Sequence, residues 1–266
     1  MPKHLSVETA DHIAVVTLTG PTMPPSFFVE IEETFRALAE DTAVRAIVVR
    51  GSGKAFSYGL DLPAASQELA PHFAGGTAGT RLEFLALIRR LQASFTQVAA
   101  SPVPVIAAVH GYCIGGGLDL ISACDIRLAT ASAKFSLRET KIAIVADLGS
   151  LQRLPRIIGD GNLRELAFTG KDIDAARAQR IGLVNDVYAT EEELFTAARG
   201  MAIDIAKNSP VAVRGVKEVL TAGEGKTVAE GLAYVAAWNT AFFASEDLGE
   251  AFSAFMEKRP PSFKGR

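Results

Sequence analysis

Asp119, Glu139 and Asp147 stand 20 and 8 residues apart in otherwise apolar sequence, just after the glycine run Gly115-Gly116-Gly117. Asp119 lies in Ile114-Gly-Gly-Gly-Leu-Asp-Leu-Ile-Ser-Ala-Cys124, Glu139 follows the strand-like Lys134-Phe-Ser-Leu137, and Asp147 interrupts Ile142-Ala-Ile-Val-Ala146. Buried acids cost free energy unless they are paired, protonated or used. Three of them within residues 119–147 point to a site that moves protons, with environments that set their pKa values apart. Structural alternatives stand beside this reading. Asp119 would pair with Arg127 or Arg138, and Asp147 would cap a helix starting near Leu148. For Glu139 the alternative is weakest, because it follows a strand end, where catalytic groups tend to sit.

Two glycine-containing turns, residues 56–61 and 110–119, each follow a buried strand and precede a helix-like segment. A helix begun at Gly116 or Gly117 presents unpaired N–H groups and a partial positive end, and glycine lets a ligand approach the backbone. Two such turns face to face form an oxyanion hole. The run lacks both G-x-G-x-x-G and G-x-x-x-x-G-K-[ST], which argues against a phosphate loop. The plain alternative is glycine used for close helix packing. His110, beside the second turn, reads as a packed, hydrogen-bonded histidine. Cys113 and Cys124 read as small buried thiols without metal or disulfide spacing.

The elements that must position these residues follow from periodicity. Residues 5–9 and 13–18 form a hairpin around Ala10-Asp11. Ser26 caps a helix with apolar positions Phe27, Phe28, Ile31, Phe35 and Leu38, ending near Asp41. A buried strand at 44–49 opens into the first glycine turn. Residues 67–79, with Pro71, Gly75, Gly76 and Gly79, lack periodicity and predict a mobile segment. A long helix follows with Leu82, Leu85, Leu87, Ile88, Leu91, Phe95 and Val98 as its apolar set, stopped by Pro102 and Pro104. A strand at 105–109, a helix from about Gly116, and strands at 126–129 and 133–136 come next. Helices are then expected near 149–156, 162–168, 174–180, 191–207, 210–221, 228–244 and 246–258, ahead of a tail at 260–266. The architecture is an α/β core over 1–195 carrying the site, then a helical region over 196–266.

Composition excludes several classes. The chain has 266 residues, 48% hydrophobic and 21% charged, enough for one large or two small domains with ample core. Its net charge of -3 offers no basic field for nucleic acid or anionic lipid. The N-terminus has no apolar targeting core and no segment reaches the roughly 18 uninterrupted apolar residues of a membrane span. A cytoplasmic setting is expected, with no nucleic-acid or membrane partner.

The pairing of Gly53-Lys-Ala-Phe-Ser-Tyr-Gly-Leu-Asp-Leu62 with Pro104-Val-Ile-Ala-Ala-Val-His-Gly-Tyr-Cys-Ile-Gly-Gly-Gly-Leu-Asp-Leu120 and Cys124-Asp-Ile-Arg127 resembles the crotonase (enoyl-CoA hydratase/isomerase) superfamily. The likeness runs from the first hairpin to the Lys258-Arg-Pro-Pro-Ser-Phe263 tail. It implies a ClpP/crotonase-like spiral of ββα units, with C-terminal helices as a trimerisation region. It further implies a homotrimer or dimer of trimers, an acyl-CoA thioester as substrate, no metal, and no cofactor beyond the coenzyme A of that substrate. By position, the oxyanion donors are the backbone N–H groups of Leu60 and Gly116, and substrate binding falls to Ser57, Tyr58, Gly59, Leu60, Asp61, Leu62 and Gly116.

Within the family, the two glutamates that hold water in the hydratase branch fall at Asp119 and Glu139, and the position of Asp147 lies there in a glycine-rich turn. This chain departs twice, with aspartate at 119 and a third acid at 147, and so resembles the Δ3,5-Δ2,4-dienoyl-CoA isomerase branch of fatty-acid β-oxidation. A 3,5-dienoyl thioester loses a proton from C2 and regains one at C6, and one carboxylate can hardly reach both carbons. The resemblance assigns Glu139 to C2, Asp147 to C6 and Asp119 to tuning Glu139. The rivals are an enoyl-CoA hydratase and a non-catalytic acyl-CoA-binding or RNA-binding member of the fold. Tyr58 sits where small residues are common and bears on the acyl pocket. Lys54, Phe263 and Lys264 are candidates for the nucleotide end of CoA. Trp238, Phe242, Phe243, Phe252 and Phe255 read as core or subunit interface.

Overall fold

The computed structural model describes residues 4–73 and 76–266. β1 (Leu5–Ala10) and β2 (Ile13–Leu18) form the expected hairpin, turning through Asp11 and His12 with both φ angles positive, at 52° and 66°. α1 (Pro25–Glu40) leads to β3 (Ala46–Gly51), and α2 (Leu62–Phe73) and α3 (Ala78–Ala99) lead to β4 (Val105–Val109). β5 (Tyr112–Ile114) and α4 (Gly116–Ser122) precede β6 (Ile126–Thr130), β7 (Lys134–Ser136) and a 3-10 turn at Glu139–Ile142. Then come α5 (Ser150–Ile158), α6 (Asp160–Thr169), β8 (Ile173–Asp174), α7 (Ala175–Arg180) and β9 (Asp186–Tyr188). α8 (Glu191–Ala206), α9 (Pro210–Ala222), α10 (Val228–Phe242) and α11 (Glu246–Glu257) complete the chain.

The main sheet has the order β1-β2-β3-β4-β6-β9, parallel after its first pair, and a small second sheet has the order β5-β7-β8. Strands buried on both faces read as continuous apolar runs, and β3 and β4 do so. Ala46, Val48, Ile106 and Ala108 face α8 through Leu194, Ala198 and Ala202, whereas Ile47, Val49, Ala107 and Val109 face α1 and α3. α8 thus crosses residue 195 and covers the sheet.

Three expectations need correction. α1 starts at Pro24-Pro25, whose fixed φ suits a helix start, and Ser26 lies inside its first turn with Oγ 2.7 Å from His4 Nε2. Residues 67–79, expected to be irregular, contain the end of α2 and the start of α3, which Thr77 caps; Gly75 lies outside the described residues. α2 forms because the Asp61 carboxylate accepts the Ala64 N–H in its first turn. In α3, Leu87, Phe95 and Val98 are buried, but Leu82 and Leu85 are exposed. An apolar period specifies a helix without specifying a partner for every turn.

The C-terminal region is tied to the core by polar contacts. Lys217 of α9 donates to Asp125 Oδ2 at 2.7 Å and Val103 O at 3.1 Å, and the same Asp125 oxygen accepts the Val105 N–H. Buried Asp247 of α11 holds the tail by accepting the Lys264 and Gly265 amides, while Arg45 donates to Phe263 O.

Candidate active site

One parallel bridge brings the glycine turns together, and a second fixes the first turn against the segment before α1. Ser57 pairs with Cys113 of β5, and Met23 pairs with Leu60. In the second bridge the hydrogen bonds run from Met23 N to Gly59 O and from Asp61 N to Met23 O. Because the neighbours of Leu60 carry that pairing, the Leu60 N–H points to the opposite side. That side faces the start of α4, whose first N–H, on Gly116, has no acceptor within its helix. The approach is close. A side chain on Gly59, where φ is +83°, would lie 3.1 Å from Gly116 N and 2.7 Å from Ile114 O, and one on Gly116 would lie 3.8 Å from Leu60 N.

The remaining turn residues hold this shape. Ser57 is buried, accepts the Gly59 N–H at 3.0 Å and donates to Pro21 O at 3.3 Å. The Asp61 carboxylate caps α2 and accepts from Thr22 Oγ1 at 3.0 Å. The side chains of Ser57 and Asp61 are therefore engaged in building the loop. Tyr58 and Leu62 are exposed, and the Tyr58 ring stands 5.6 Å from that of Tyr112. His110 is packed, with Nε2 3.1 Å from Gly53 O and its ring edge-on to Phe195. Both cysteines are free and buried.

The fold brings the three carboxylates into one electrostatic unit. Asp119 is buried on α4, and its Oδ1 accepts the Ser150 N–H at 2.7 Å. Asp119, not Asp147, thereby serves the N-terminus of α5, where Gly149 is the cap residue and has no side chain to offer. Burial lifts the Asp119 pKa from 3.8 to about 6; Ser150 bonding and the Arg153 charge oppose the rise, and Asp147 adds to it. Glu139 opens the 3-10 turn after β7, with Oε1 3.2 Å from where a side chain on Gly115 would begin. Its Oε2 is buried without a hydrogen-bond partner. Burial pushes Glu139 from 4.5 to about 7; its own amide opposes this, and the charges of Asp119 and Asp147 reinforce it. Asp147 is half-buried in the segment before α5 and is raised by burial against a smaller lowering from its own amide.

Arg127 and Arg138 take no part. Arg127 donates to Leu183 O and Cys124 O, and Arg138 pairs with Asp172 at 2.6 Å. Sequence reasoning missed Ser150, whose N–H reaches Asp119 from the start of α5, and Arg153 of the same helix, whose charge acts on it. Their signal was the amphipathic helix directly after the third acid. Among the described residues, no cluster of His, Cys, Asp and Glu fits a metal ion, and no helix is long and apolar enough to cross a membrane.

The raised acids are least stable when ionised, which gives a test. The folded Asp119 pKa exceeds its ordinary 3.8, so its contribution favours folding below about pH 4 and is lost as pH rises towards 6. Asp119→Asn keeps an oxygen for the Ser150 N–H and removes the charge. The variant is expected to be more stable than wild type above pH 6, by up to about 3 kcal/mol, and to match it near pH 4. Urea midpoints across this pH range check it, and a difference independent of pH defeats it.

The fold and site are thus of the crotonase type, a spiral α/β fold in which two backbone N–H groups, on Leu60 and Gly116, converge beside carboxyl groups raised by burial. The chain belongs to the enoyl-CoA hydratase/isomerase family, which it matches over residues 8–266. It is 42% identical to the mitochondrial Delta(3,5)-Delta(2,4)-dienoyl-CoA isomerase of Dictyostelium discoideum over 98% of this chain and 92% of that one. To the peroxisomal protein of the same name from Arabidopsis thaliana it is 41% identical, over 98% and 91%. The crystal structure of an enoyl-CoA hydratase from Bacillus anthracis superposes with a TM-score of 0.89 at 31% identity, over 99% of this chain and 100% of that one.

Proposed function

We propose that the protein isomerises 3,5-dienoyl-CoA thioesters to 2,4-dienoyl-CoA thioesters in fatty-acid β-oxidation. The observation that carries the reading is the third acid: Asp147, half-buried and raised by burial, stands near enough to Glu139 for its charge to add to the rise of the Glu139 pKa. Glu139 as carboxylate takes a C2 proton, and the released electron pair spreads as a dienolate onto the thioester oxygen. The N–H groups of Leu60 and Gly116 stabilise that oxyanion. Asp147 as acid delivers a proton to C6, the double bonds shift to C2 and C4, and a proton passing from Glu139 to Asp147 restores the starting state. Burial brings Glu139 into the neutral range, and the Asp119 charge adds to that rise.

The base must be ionised to take the C2 proton, so turnover is expected to fall as pH drops below about 7, where Glu139 takes up a proton. The deciding experiment follows absorbance: a 3,5-dienoyl-CoA should give the rising band of a conjugated 2,4-dienoyl thioester. Bleaching of a 2-enoyl-CoA without that rise makes the protein a hydratase, and tight binding without either change makes it a binding protein. The exposed apolar side chains Val216, Leu220, Phe252 and Phe255 on α9 and α11 support assembly into a trimer or dimer of trimers through these helices.

A further inference from the structure

Asp147 lies in residues 143–149, which form neither helix nor strand. Ile144 is 41% and Val145 72% exposed, so only Ala146 and Leu148 pack inward. A carboxyl group that must meet one carbon of a bound chain needs a fixed direction, and packing alone gives this segment little.

The segment is instead tied by polar contacts. Gln92 of α3 donates from Nε2 to Asp147 O at 2.7 Å. Among the described residues it is the one side-chain donor from another element that reaches the Asp147 peptide. That bond fixes the peptide plane directly after the Asp147 Cα, and with it the direction in which the residue presents its side chain. Arg153 donates to Leu148 O at 3.3 Å and reaches Thr96 Oγ1, one turn along α3 from Gln92, at 3.5 Å. Of the two ties, Gln92's is the short one. It is also anchored, because Phe95 and Val98 of the same helix are buried in the core.

We propose that Gln92 is a positioning residue that aims Asp147 at C6 and leaves C2 chemistry at Glu139 untouched. This rests on the isomerase reading above. A misplacement on the order of 1 Å costs about a hundredfold in rate, so Gln92→Met, which keeps length and loses the donor, is expected to lower kcat about ten- to a hundredfold. KM should stay within about twofold, because no binding contact is removed. In deuterium oxide, exchange at C2 of recovered substrate should persist, so the ratio of exchange to turnover rises. The double variant Gln92→Met/Asp147→Asn should be no slower than Asp147→Asn alone, since a residue acting through Asp147 has nothing left to position. Gln92→Asn, too short to reach the carbonyl, supplies the same comparison if the methionine variant is unstable.

Unchanged kcat, loss of C2 exchange in parallel with turnover, or additive losses in the double variant would each overturn the assignment while leaving the isomerase reading intact. A wild-type enzyme without dienoyl turnover would remove that reading and the Gln92 role with it.

Discussion

Asp147→Asn is expected to slow formation of 2,4-dienoyl product by about 10² to 10⁴, the range that one positioned acid contributes, while C2 hydrogens still exchange with solvent. The variant keeps the shape of the side chain and removes its acid. Glu139, with its pKa near 7, still opens the C2–H bond, and the Leu60 and Gly116 donors still hold the dienolate. The dienolate then returns to substrate, carrying solvent deuterium at C2. Mass spectrometry of recovered substrate beside the absorbance assay separates the two half-reactions. Near wild-type turnover would show that one carboxyl group serves both carbons, and loss of exchange would place Asp147 at C2.

Gly59→Ala carries the other large effect. At φ +83° an alanine is strained, at a cost of about 1–3 kcal/mol, and its Cβ would stand 2.7 Å from Ile114 O and 3.1 Å from Gly116 N. Both contacts are backbone, so relief requires the two turns to part, and that separates the donors at Leu60 and Gly116. Loss of one oxyanion donor lowers kcat about 10² to 10³, and disturbing both should cost at least as much. Gly53→Ala is the comparison: φ is +71°, but no atom lies within 4 Å of the new methyl. It carries backbone strain without the collision and should retain kcat. Equal losses in the two variants would mean that strain, not donor geometry, governs the rate.

The linear order of residues was enough for the hairpin, the buried strands, the helix starting at Gly116 and the C-terminal helices, because period 2 and period 3.6 leave a direct trace. It was also enough to single out Asp119, Glu139 and Asp147, since an acid in an apolar run is conspicuous by its cost. Short strands escaped. β5, β8 and β9 have two or three residues each and exist only because partners elsewhere in the chain accept their hydrogen bonds. The split of labour around the site was equally invisible. Asp119 is joined to Ser150 across 31 positions and Gln92 to Asp147 across 55. No local pattern distinguishes a serine or glutamine that meets such a partner from one that meets water.

The three carboxylates, and the proton transfer they imply, were therefore written in residue type and spacing. Their pKa values and hydrogen-bond partners were decided by tertiary structure, because both depend on burial and on neighbours supplied by other elements. Glu139 reaches the neutral range chiefly by burial, with two acids from other segments adding to the shift. Leu60 presents its N–H to the pocket only because Met23, 37 positions away in the chain, pairs with the residues on either side of it.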